Sequence, residues 1–135
     1  VGFFCYIQAV NQNHLGCYAE YLFVASAIGY GFNVSMPSLD ASHYDCILEK
    51  NKKLFKIQVK FVGSNRKKSK YHKYSRQIVL RRGYLHYEIE DVDFFAIYKQ
   101  DENGFYIIKN TKQKSLRLRP NGKYKNNFNN FAMIS

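Results

Sequence analysis

Between residues 44 and 61 the chain reads YDCILEKNKKLFKIQVKF, and the second half alternates strictly between apolar and polar positions. Phe55, Ile57, Val59 and Phe61 fall on one face of a strand, and Lys56, Gln58 and Lys60 on the other. The preceding run, YDCILE, is a second strand that places Asp45, Ile47 and Glu49 on one face, and the short polar turn KNKK between the runs marks an antiparallel hairpin. Glu49, four residues nearer the turn than Asp45, falls at the exposed hairpin tip.

Upstream, Asn11 or Asn13 is placed to cap a helix from about His14 to Ile28, which Gly29 or Gly31 ends. Leu15, Tyr18, Ala19, Leu22, Phe23, Val24, Ala25 and Ile28 leave this helix apolar nearly all round, so it is expected to be buried on all sides. Its one charge, Glu20, either reaches water from the helix edge or needs a partner, a proton or a metal ion, because a bare carboxylate in low dielectric is costly. FNVSM reads as a short strand, RQIVLRR as another, and DFFAIYK and GFYIIKN as two strands joined by the acidic turn QDEN, while GYLHYEIEDV fits no single period.

Composition sharpens this outline. The 135 residues, 46% hydrophobic and 17% aromatic, suit one globular domain with a real core and exclude a disordered tail. The net charge of +11 points to a polyanionic partner, and it is segregated: residues 1–49 hold four acids and no Lys or Arg, residues 50–82 hold 13 bases and no acid, and residues 109–135 hold only bases. Cys5, Cys17 and Cys46 make no CxxC pair and leave one over, as in a reducing compartment, and His14 with Cys17 and Cys5 lacks metal-ligand spacing. The opening VGFFCYIQAV carries no basic n-region and meets polar residues too early for a signal peptide or membrane span, so a soluble, intracellular (cytoplasmic) protein is expected.

The spacing from Glu20 to Asp45 is 25 residues, from Asp45 to Gln58 is 13, and Lys60 follows Gln58 by two. A helix carboxylate, an Asp entering a strand and a polar-x-Lys pair on the adjacent strand resemble the PD-(D/E)XK nuclease superfamily over roughly residues 13–61, extending weakly to DFFAIYK. The text GCYAEYLFVASAIGYGFNVSMP with YDCILE and KIQVKF is most similar to the branch holding group I intron-encoded homing endonucleases of that fold, where a Gln-x-Lys form occurs. Two departures stand out: Tyr44-Asp45 replaces Pro-Asp, and Gln58 replaces the second acid, which lowers the charge of the site and leaves the number of metals open.

The resemblance implies an α/β (α+β) restriction-endonuclease-like core, a mixed central sheet flanked by helices, formed by one domain over residues 1–135. It implies Glu20, Asp45, Gln58 and Lys60 as catalytic residues. Mg²⁺ (or Mn²⁺) would be held by Asp45, the Val59 carbonyl, Glu20 and Gln58. The chemistry is consistent: phosphodiester hydrolysis needs a divalent cation in an oxygen shell and a group that assists the attacking water, the role expected of Lys60. Residues 62–82 are expected to grip double-stranded DNA through Arg66, Lys67, Lys68, Lys70, Lys73, Arg76, Gln77, Arg81 and Arg82, with Tyr71 and Tyr74 interleaved.

The basic C-terminal extension, residues 109–135, offers Lys112, Lys114, Arg117, Arg119, Lys123 and Lys125 for phosphate contact or for assembly. One such site cuts one strand, so double-strand cleavage implies a homo-oligomer, a dimer or, in the homing branch, a tetramer. The competing readings are a type II restriction endonuclease, a Holliday-junction resolvase, a non-catalytic DNA-binding protein, and a basic RNA-binding module, for which Glu20, Asp45 and Lys60 together have no use.

Overall fold

The computed structural model describes residues 11–64 and 74–135. Helix α1 (Gln12–Gly29) starts at Asn11, whose side chain accepts from the His14 backbone N–H at 3.0 Å. Strand β1 (Asn33–Ser35) is followed by β2 (Cys46–Lys50) and β3 (Lys53–Val62). Next come β4 (Arg76–Val79), β5 (Arg81–Arg82), β6 (Leu85–His86), β7 (Phe94–Lys99), β8 (Gly104–Lys109) and β9 (Ser115–Leu118).

Five strands form the central sheet in the order β1-β2-β3-β7-β8, antiparallel throughout except where β3 runs parallel to β7. The β2–β3 hairpin closes through Asn51 and Lys52, both with positive φ (53° and 65°), the twist a two-residue turn needs to match its strands. β7 is buried along its whole length, as a central strand covered on both faces must be.

One face of the sheet packs against α1. Ala19, Phe23 and Ala27 meet Ile57, Val59, Ala96, Tyr98, Phe105 and Ile107, and Phe131 and Ile134 complete this layer, with Phe131 stacked on Phe23 and Tyr30. The other face is covered by the β4–β9 ribbon and by Leu80 and Tyr87, which flank the exposed β5–β6 ribbon. Ile78, Leu80, Tyr87, Leu116 and Leu118 close on Phe95, Ile97, Tyr106 and Ile108 there. The mixed sheet of a restriction-endonuclease-like fold is thus present, while among the described residues one α-helix rather than several flanks it.

Three local findings correct or extend the sequence outline. α1 is buried along a single stripe, Leu15, Ala19, Phe23 and Ala27 at four-residue spacing, and leaves Tyr21 and Ile28 each 58% exposed. Its packing partners, the sheet together with Phe131 and Ile134, lie along that stripe, and a helix buries the face it shares with its neighbours. RQIVLRR is not one strand: it divides at buried Leu80 between the two ribbons. The basic C-terminal segment is woven into the fold, pairing as β9 with β4 and inserting Phe131 and Ile134 into the core.

Past β7 lies a buried ion cluster. Lys99 Nζ, with a fully buried side chain, meets Asp101 Oδ1 at 2.6 Å and Glu102 Oε2 at 2.8 Å, and Tyr106 donates its hydroxyl to Glu102.

Candidate active site

The site forms where β2 begins and the middle of β3 passes it. Asp45 precedes the first residue of β2, and its backbone N–H donates to the Ile57 carbonyl at 2.8 Å. Its side chain carries the ladder one step further: Oδ2 accepts from the Val59 N–H at 2.8 Å. The carboxylate is therefore held by the strand that carries Gln58 and Lys60, and its second oxygen is left for other partners.

Glu20 comes from the other direction, one residue along the helix from the buried Ala19 that packs α1 on the sheet. Its pKa is pushed up to about 7, first by burial, then by a hydrogen bond and Coulomb repulsion with Asp45, and last by Asp40. Two carboxyl groups fixed side by side and partly out of water hold a proton or a cation between them.

Lys60 lies on the opposite face of β3 from the α1 layer. Its Nζ sits 5.3 Å from the centre of the Tyr87 ring and 3.5 Å from the Arg81 carbonyl oxygen. Burial lowers its pKa, against an upward pull from Asp45. Gln58 donates its amide N–H to the Val59 carbonyl at 3.2 Å, so one of the two neutral oxygen ligands expected from sequence, the Val59 carbonyl, accepts from the side chain that carries the other.

Sequence reasoning missed Tyr87. It is buried beneath Lys60, and burial first, then Asp45, raises its hydroxyl to about 12, so it stays a neutral wall. It lies in the stretch without a clear period, and strands of two residues leave no alternation to detect.

The expected DNA-contacting residues divide. Arg66, Lys67, Lys68, Lys70 and Lys73, with Tyr71, lie outside the described residues. Arg76 donates to the Gly63 carbonyl. Arg82 donates to three backbone carbonyls of the loop before Asp45, Asp40 at 3.0 Å, Ala41 at 2.9 Å and Ser42 at 3.0 Å, a structural use quite unlike a phosphate contact. Gln77 and Arg81 are exposed. Gln77 accepts from Arg117 across the β4–β9 ribbon at 3.3 Å, and Arg117 also donates to Ser75.

Among the described residues no three His, Cys, Asp or Glu side chains gather to hold a metal ion, and no helix is long and apolar enough to cross a membrane. A cation between Glu20 and Asp45 would thus draw its other ligands from neutral oxygens and water. That set fits a hard divalent ion: every donor is oxygen, and burial, with Asp45 beside it, disfavours the charged form of Glu20 unless a cation compensates it.

A family model described as PD-(D/E)XK endonuclease matches residues 10–134, and the chain belongs to that family. It is a nuclease of a class that acts on DNA and typically uses divalent metals. The solved structure of I-Ssp6803I, a bacterial homing endonuclease, superposes with a TM-score of 0.71 over 93% of each chain at 18% identity, a likeness of fold. No curated protein matches the chain.

Proposed function

We propose that this chain is a Mg²⁺-dependent endonuclease that cuts double-stranded DNA at specific sites, in the manner of a homing endonuclease. The observation that carries the reading is the meeting of Glu20 with Asp45 while Asp45 is bonded to the strand holding Gln58 and Lys60. Asp45 and Glu20 would hold the cation with the Val59 carbonyl and, once its amide turns, the Gln58 oxygen. When bound, that ion polarises the scissile phosphate and lowers the pKa of the attacking water.

The chain's own residues do the rest. Asp45 is kept in place by the Val59 N–H, so its free oxygen is aimed without rotamer search. Lys60, held between the Tyr87 ring and the Arg81 carbonyl, presents its ammonium to the phosphate or the water and stabilises charge that develops there. Tyr87 excludes water from the far side of that ammonium. Exposed Gln77 and Arg81, with the basic residues 66–73, supply phosphate and base contacts, and a homo-oligomer, dimer or tetramer, brings two sites to the two strands.

The test is cleavage of fragmented native genomic DNA, plasmid and four-way junctions in Mg²⁺ and in EDTA, with the new ends mapped. The reading expects discrete duplex cuts that need the metal. Preference for junctions over linear duplex would make it a resolvase, and tight binding without any product would make it a DNA-binding protein that keeps the fold.

A further inference from the structure

The β5–β6 hairpin is short, polar at its root and apolar at its tip. Arg81 pairs with His86 and Arg82 with Leu85, and the turn between them is Gly83-Tyr84, with Gly83 at φ 60° as the first central residue, the pattern of a type II′ turn. At this tip Tyr84 is 98% exposed and Leu85 74%, the two most exposed large apolar side chains among the described residues. Neither packs into the core of this chain, although holding both in water is unfavourable.

The root is tied to the proposed active site at Lys60 and at the loop before Asp45. The Arg81 carbonyl accepts from Lys60, the Arg82 guanidinium holds the loop that leads to Asp45, and His86 Nδ1 contacts the Leu80 carbonyl at 3.2 Å. Tyr87, directly after the hairpin, is the ring beneath Lys60. At about 3.3 Å per residue, the tip lies roughly 7–10 Å along the chain from the Lys60–Arg81 contact. That span is comparable to the width of a DNA groove, about 6–12 Å.

We infer that Tyr84 and Leu85 are a wedge that seats against a base step of duplex DNA next to the cut strand, Tyr84 stacking on an exposed base face and Leu85 filling the step behind it. The inference rests on the nuclease reading of the neighbouring site and adds a specific contact to it. The observations favour DNA over a protein partner: the tip is carried on an exposed arginine, Arg81, and its root is shared with Lys60, so whatever approaches Lys60 meets the tip. An apolar side chain inserted at a base step opens the stack and bends the duplex, and the cost depends on the step. Sequence preference would then arise without hydrogen bonds to base edges.

The chain has no Trp, so a single substitution reports on the tip. Tyr84→Trp, in the full-length protein, is titrated with a mixed-sequence 30-base-pair duplex and with plasmid, while binding is followed separately by anisotropy of the labelled duplex. Leu54→Trp, exposed at the far end of β3 about 20 Å from Lys60, is the control. The wedge expects saturable quenching at position 84 and none at 54. It also expects Tyr84→Ala to slow cleavage at a mapped site at least about fivefold, the scale of one lost base–aromatic stack, with thermal stability unchanged.

Binding without quenching at position 84 overturns the wedge and leaves the nuclease reading standing. A blue shift of the position-84 emission with protein concentration alone, indifferent to DNA, overturns it in favour of a contact between copies. Failure of the wild type to bind any duplex overturns the nuclease reading and the wedge with it.

Discussion

The Asp45 carboxylate accepts the Val59 N–H at 2.8 Å, which ties the acid at the start of one strand to the backbone between Gln58 and Lys60 on the next. A single bond thus makes the expected metal ligand and the expected lysine parts of one rigid unit. Asp45→Asn keeps an acceptor for that N–H and removes the charge. It is expected to lower Mg²⁺-dependent cleavage by about 10²-fold or more, the scale of losing one positioned electrostatic group, while the melting temperature stays within a few degrees.

Glu20 gives the metal-free protein a pH dependence. Its folded pKa, about 7, lies above the ordinary 4.5, so folding is favoured by a bound proton. That contribution is complete below about pH 4.5 and is lost as pH rises through 7. Thermal melts in EDTA are expected to show the loss between those values. Glu20→Gln should flatten this part of the profile, and added Mg²⁺ should restore wild-type stability at pH 8.

Arg82 and Arg81 are neighbours with different expected effects. Arg82→Ala removes three hydrogen bonds to the loop before Asp45 and is expected to cost about 1–3 kcal/mol of stability, to slow cleavage, and to leave the salt slope of DNA binding unchanged. Arg81→Ala should leave stability within about 0.5 kcal/mol and reduce the salt slope by about one. Urea unfolding and binding across a salt series separate the two.

Lys99 lies far from this chemistry in role. Lys99→Ala strands Asp101 and Glu102 without their cation in a buried cluster and is expected to cost about 3–5 kcal/mol, read as an early urea midpoint.

Much of the fold was legible because the sheet strands alternate or run apolar without break. The β2–β3 hairpin and the β7–β8 pair follow from YDCILE, LFKIQVKF, DFFAIYK and GFYIIKN. The constellation Glu20, Asp45, Gln58 and Lys60 was singled out by its spacing and the family it resembles, and the structure places Asp45 against both Glu20 and the Gln58–Lys60 strand. The ribbons were not: β5 and β6 have two residues each, too few for any period, so Tyr87 and the Tyr84–Leu85 tip gave no signal. Nor could charge alone tell Arg81 from Arg82. Both are exposed, and Arg82 spends its guanidinium on the carbonyls of residues 40–42, a contact set by the three-dimensional return of the chain. The helix misled by composition: its apolar side chains Tyr21 and Ile28 face away from the sheet, which only the packing decides.

The most direct test of the central claim is single-turnover cleavage of a mapped duplex site in Mg²⁺ by wild type, Asp45→Asn and Lys60→Met, with binding of the same duplex measured in parallel. If the four residues are one active site, both variants bind DNA within a few-fold of wild type and cut it at least about 10²-fold more slowly. If either variant cuts at the wild-type rate, the site placed at Glu20, Asp45 and Lys60 is not where this protein does its chemistry.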